Sequence, residues 1–97
     1  MIRNYNPDED IDFDNVILFF SNKDCAPCHM LEDILNTIEN IKVIKIDISE
    51  YLELAKSYDV TSIPTLKLFR KTINVFDIKG VRSAKDIVNI LIHFDMI

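Results

Sequence analysis

The stretch Val16-Ile17-Leu18-Phe19-Phe20-Ser21-Asn22-Lys23-Asp24-Cys25-Ala26-Pro27-Cys28 decides how this chain folds. Val16 to Phe20 is a continuous apolar run, short and rich in β-branched and aromatic side chains. It reads as a strand buried on both faces. Ser21-Asn22-Lys23-Asp24 is a polar turn. Beyond it, Leu31, Ile34, Leu35 and Ile38 recur at helical spacing. Pro27 suits the first turn of that helix, where its missing N–H leaves no bond unmade. Cys25 and Cys28 therefore fall where a buried strand hands over to a helix N-terminus.

Working outward, Lys42 to Ile48 alternates and is β-branched, so it reads as a second strand. Strand, helix, strand makes a βαβ unit with parallel strands. Ser49 is expected to cap a short helix through about Ser57, with Tyr51, Leu54, Ala55 and Tyr58 facing inward. Thr65–Phe69 and Ile73–Ile78, joined by a tight turn near Arg70-Lys71-Thr72, read as an antiparallel hairpin. Gly80 breaks the pattern. Ser83 with Asp86 resembles a capping box, and Ile87, Ile90, Leu91 and Phe94 form a helical stripe. A small strand is expected near Ile2 to Tyr5. The fold class is α/β, with a central mixed sheet (βαβ then ββα) flanked by helices. The apolar stripes are core.

The 97 residues suit one domain spanning 1–97, and 48% hydrophobic content supplies a core without staples. A net charge of −5 argues against nucleic acid as a partner, because phosphate binding needs clustered Lys and Arg. The acids Asp8, Glu9, Asp10, Asp12 and Asp14 read as a solvated surface segment. No apolar run reaches the roughly 18 residues of a membrane span, so no membrane partner is expected. Met1 to Pro7 lacks the apolar core of a signal peptide, and the expected location is the cytoplasm.

The two cysteines form one C-x-x-C. A disulfide closing so small a loop contributes little to stability, so chemistry explains the pair better. Positions i and i+3 share one side of the first helical turn, which lets the sulfurs meet. A free thiol has a pKa of about 8.5, and the thiolate is the attacking species. Unpaired N–H groups and the helix dipole favour the anion there. Cys25, best placed for both dipole and solvent, is the expected nucleophile, and Cys28 the resolving thiol. The cycle runs through a mixed disulfide and needs no dissociable cofactor. Cys25-Ala26-Pro27-Cys28-His29 also spells a haem-attachment motif, but such proteins are mostly helical and this chain has strong strands. A zinc site from Cys25, Cys28, His29 and His93 would require ligands that diverge on one helix to meet another on a separate helix, so no metal is expected.

Phe19-Phe20 to Met30 resembles the active-site segment of thioredoxins, and Thr61-Ser62-Ile63-Pro64-Thr65 resembles their second signature. Gly80 matches a family glycine near the end of the last strand. The likeness runs from about Val16 to Phe94. It implies the thioredoxin fold, a cis peptide bond at Pro64 facing the dithiol, and pairing of the Ile63 backbone with an extended substrate peptide. It also implies reduction of protein disulfides, with electrons from a separate reductase. The chain is expected to act as a monomer. Several positions depart from the family. Asp24 stands where Trp is usual and places a negative charge beside Cys25. Phe19 replaces a buried Asp beneath the resolving cysteine. Lys45, which matches that acid's usual lysine partner, is then expected to face solvent or pair with Asp47. Ala26 replaces the commoner Gly, Asp33 replaces a helix proline, and His29 is expected to be a solvated surface histidine. These losses leave an alternative open: a thioredoxin-like binding or assembly module with a weakly active dithiol.

Overall fold

The structure is a computed structural model and describes residues 2–97. Its strands are β1 (Ile2–Asn4), β2 (Val16–Ser21), β3 (Lys42–Asp47), β4 (Thr65–Arg70) and β5 (Ile73–Lys79). Its helices are α1 (Ala26–Leu35), α2 (Leu52–Ser57) and α3 (Ala84–His93). The five strands form one sheet in the order β1-β3-β2-β4-β5. β3 runs parallel to both β1 and β2, whereas β4 runs antiparallel to β2 and β5. The central strand is β2, and every residue of it is buried. That position explains the unbroken apolar run, because both faces of a central strand are covered.

Alternation along β2 splits the core in two. Ile17 and Phe19 join Cys28, Leu31 and Leu35 of α1 and Ile87 and Leu91 of α3. Leu18 and Phe20 point the other way, into a cluster with Ala55 of α2, Ile44, Ile46, Phe69 and Phe13. Tyr58 adds its ring to Phe13, Phe20 and Phe69 on that second face. The hairpin turns at Lys71 and Thr72, whose φ angles of 53° and 64° are those of a type I′ turn. Asp14 fixes this turn by accepting a hydrogen bond from the Lys71 N–H. Among the described residues no helix is long and apolar enough to cross a membrane.

Three local expectations are corrected. Ser21 does not open the polar turn; it is the last residue of β2 and is 1% exposed. Ser49 does not cap α2, which begins at Leu52 after Tyr51. The Asp47 carboxylate takes both the Ser49 N–H (2.8 Å) and its hydroxyl (2.6 Å), so the serine belongs to a turn closed by the preceding strand. Those bonds, the hydroxyl's first, hold the Asp47 carboxyl below its ordinary value. In the acidic segment Asp8, Glu9, Asp12 and Asp14 are exposed, but Asp10 is buried. Its carboxylate grips the Arg3 guanidinium and accepts the Asn6 N–H at 2.8 Å, tying the loop to β1.

Candidate active site

The site is assembled at the junction of β2 and α1. Cys25 is the N-cap of α1, with extended backbone angles, and Pro27 lies in the first turn as its fixed φ favours. The Cys25 and Cys28 Cα atoms are 5.2 Å apart and a disulfide joins the sulfurs. The Cys28 N–H donates to Cys25 Sγ at 3.2 Å, so one of the helix's orphan donors is aimed at that sulfur. The two cysteines differ in access. Cys25 is half-buried, whereas Cys28 is 2% exposed and belongs to the core cluster.

The loop before Cys25 is held by short local bonds. Asn22 Oδ1 accepts the Asp24 N–H at 3.0 Å, and the Asn22 carbonyl accepts the Cys25 N–H at 3.2 Å. His29 is exposed as expected, but it is not simply solvated. Its Nε2 lies 2.7 Å from the Lys23 carbonyl, and since a carbonyl only accepts, Nε2 carries the proton and donates. The ring thus ties the first turn of α1 back to the loop. Asp24 is exposed.

The second segment reaches the cluster that contains Cys28 through Ile63. The Ile63–Pro64 bond is cis and Pro64 is buried. Thr65 Oγ1 donates to the Ser62 carbonyl at 2.8 Å, and the Gly80 N–H donates to the Pro64 carbonyl at 2.9 Å. Gly80 has φ +81°, and a Cβ there would meet nothing within 4 Å. Its value is therefore conformational freedom, not space. Ile63 packs against both core clusters, and Cys25 packs against the one that contains Cys28. Neither the N–H nor the carbonyl of Ile63 is hydrogen-bonded to another of the described residues.

Phe19 is fully buried in the cluster with Cys28, so an aromatic ring occupies the layer beneath the dithiol. Lys45 neither turns to solvent nor pairs with Asp47; it bonds Glu32 of α1 at 2.6 Å. The register explains this. Lys45 lies opposite Phe19 in the β2–β3 ladder, on the face that α1 covers, while Asp47 is engaged with Ser49. Among the described residues no three His, Cys, Asp or Glu side chains gather as a metal site.

The thioredoxin family model matches residues 3–93. The chain belongs to the thioredoxin family. It is 35% identical over 69 residues to a thioredoxin-like protein from Synechocystis, covering 66% of each chain. It is 32% identical over 80 residues to a thioredoxin from Chlamydia pneumoniae, covering 78% of each. A protein disulfide-isomerase from Humicola insolens is 36% identical over 74 residues, of which this chain spans 15% of the length. Among solved structures, a thioredoxin variant from Halobacterium salinarum superposes with a TM-score of 0.77 at 30% identity, covering 81% of this chain and 73% of that one. Membership and the paired Cys25 and Cys28 together make this thioredoxin-family chain a thiol–disulfide oxidoreductase.

Proposed function

We propose that the chain reduces protein disulfides, with Cys25 as nucleophile and Cys28 as resolving thiol. The asymmetry of the pair carries this reading: Cys25 is half-buried at the helix cap, and Cys28 is sealed in the core. An incoming disulfide meets Cys25 first. The thiolate is favoured by the Cys28 N–H and by the helix dipole, and opposed by the neighbouring Asp24 charge. Attack joins Cys25 to one substrate sulfur and releases the other as a thiolate. Cys28 then attacks Cys25, releasing the second substrate thiolate and closing the Cys25–Cys28 disulfide. Two electrons pass to the substrate, and a separate reductase restores the dithiol.

The substrate peptide lies extended along Ile63, whose backbone groups are free to pair with it. Pro64 bounds the face toward the dithiol. Pro27 pre-sets the first turn, and Lys45, held by Glu32, supports the sheet and not the chemistry. We place the chain in the cytoplasm, as one domain acting as a monomer. An insulin-disulfide reduction assay tests the reading. Cys25→Ser is expected to fall at least a hundredfold, to background, and Cys28→Ser to accumulate mixed disulfides on Cys25. A wild-type rate no higher than that of Cys25→Ser points to a binding module; substrates trapped on Cys28 reverse the assignment.

A further inference from the structure

The peptide unit that joins Lys23 to Asp24 is held at both ends by side chains. Its N–H donates to Asn22 Oδ1 at 3.0 Å, and its carbonyl accepts from His29 Nε2 at 2.7 Å. A peptide unit is planar, and its N–H and carbonyl point in opposite directions. Asn22 and His29 therefore grip it from opposite sides, and a flip of the unit breaks both bonds. The next unit along is fastened too, since the Cys25 N–H donates to the Asn22 carbonyl at 3.2 Å. The backbone that enters Cys25 is thus tied down at each step from Asn22 onward.

Of these holds, His29 is the one that comes from the helix. Helical side chains lean toward the N-terminus, and the His29 N–H already donates to the Cys25 carbonyl at 3.2 Å. The ring continues past Cys25 to Lys23, so the first turn of α1 and the loop before it close on one another around Cys25. None of these bonds uses a sulfur atom. The same holds are therefore open to the disulfide, to the dithiol and to a mixed disulfide on Cys25. They do not matter equally in the three. In the disulfide a covalent bond ties Cys25 to Cys28. In the other two states, only the backbone and its hydrogen bonds keep Cys25 beside Cys28.

We infer that His29 is a positioning residue for closure of the Cys25–Cys28 bond: with Asn22 it clamps the Lys23–Asp24 peptide and so holds Cys25 beside Cys28 while the two sulfurs are not joined. In closure, the Cys28 thiolate attacks Cys25 Sγ. The Cys25–Cys28 bond forms, the bond from Cys25 to the other sulfur breaks, and that sulfur leaves as a thiolate. A backbone fixed beforehand has less freedom to lose in this step. The clamp therefore speeds release of a mixed disulfide and moves the redox equilibrium toward the disulfide. Nε2 still donates when the imidazole is protonated, because both nitrogens then carry protons. The clamp acts through the hydrogen bond and not through charge. The inference rests on the dithiol cycling, as the proposed function does, and not on which disulfide is reduced.

The test is the redox equilibrium of the full-length chain with glutathione, which involves no protein substrate, together with the rate at which glutathione leaves Cys25. His29→Leu keeps bulk and helix propensity but has no donor. It is expected to shift the equilibrium about twofold to tenfold toward the dithiol and to slow release alike, the range set by the net worth of one hydrogen bond. His29→Gln offers an amide N–H without charge and is expected to restore both quantities to within about twofold of wild type. Asn22→Ala frees the same peptide from its other side, so the double variant with His29→Leu is expected to shift by less than the product of the single shifts. A shift below twofold in His29→Leu, or one toward the disulfide, overturns the inference. So does a shift that His29→Gln leaves uncorrected, which would assign the effect to the charge of the imidazole. Single shifts that multiply in the double variant overturn the shared clamp. Loss of insulin reduction in wild type, with the glutathione shift intact, counts against protein-disulfide reduction and supports His29 in its positioning role.

Discussion

The two faces of the sheet treat buried polarity in opposite ways. On the α1–α3 face, around Phe19 and Cys28, the layer is apolar and its one buried hydroxyl, Ser21, is unpaired. On the α2 face, charges are drawn in and matched. Lys67 of β4, its side chain 7% exposed, bonds Asp77 of β5 at 2.9 Å and Asn74 at 3.4 Å. It lines a polar cleft of about 450 Å³ with Thr65, Lys79 and the residues that follow α2. Arg3, which alternates with the inward Ile2, grips the buried Asp10. The α1–α3 face leaves its buried hydroxyl unpaired, whereas on the α2 face the buried Asp10, Thr65 and Lys67 side chains are each hydrogen-bonded.

The largest expected effect on this contrast comes from breaking the α2-face match from one side. Asp77→Ala leaves the Lys67 ammonium buried with only the long bond to Asn74. The expected loss is about 1–3 kcal/mol, since an unpaired buried charge keeps its desolvation penalty. Lys67→Met removes the charge and the penalty together and leaves Asp77, which is 39% exposed at its side chain, to solvent. It is expected to cost less than Asp77→Ala. Urea unfolding of the two variants checks the ordering. Equal losses would mean that Lys67 is not buried in solution, and the two faces would then differ less than described.

A smaller effect belongs to Arg3 and Asp10, and pH exposes it. The Arg3 hydrogen bond, ahead of the Asn6 N–H, holds the Asp10 carboxyl below its ordinary value against the pull of burial. A depressed folded pKa contributes stability that is present above the unfolded value of about 3.9 and is lost as pH falls through the folded one. Arg3 is a third exposed at its side chain, which screens the pair. Asp10→Asn is therefore expected to cost about 1 kcal/mol at pH 7 and progressively less as pH falls below 4. Thermal unfolding of both proteins from pH 7 to pH 2 measures it. Curves that stay parallel throughout would show that Asp10 works through shape alone.

The elements that sequence disclosed most plainly are those set by repetition. The Val16–Phe20 run, the helical stripes of α1 and α3 and the alternation of β3 each signal their covering surfaces many times over. Cys25, Cys28 and Pro64 were legible because chemistry and family likeness converge on them. What stayed hidden depends on a single partner remote in sequence or on one competing bond. Ser49 looked like a helix cap, yet Asp47 two residues back takes its hydroxyl. Asp10 looked solvated among its acidic neighbours until Arg3 of β1 met it. The Gly80 bond to the Pro64 carbonyl joins positions sixteen apart in sequence, and no periodicity announces it.

Lys45 sharpens the contrast by what it should not do. It lies on the dithiol face, so a charge-bearing group there invites a catalytic reading. Its side chain is 29% exposed and its partner Glu32 31%, at the edge of the face rather than within it. A pair so placed is screened and contributes at most about 1 kcal/mol. Glu32 neutralises the ammonium at 2.6 Å, and the fully buried Phe19 opposite supplies no carboxylate for Lys45 to assist. Lys45→Met is therefore expected to keep insulin-disulfide reduction within a few-fold of wild type and to change unfolding by less than about 1 kcal/mol. A hundredfold loss of turnover with stability intact would place a working charge on the dithiol face.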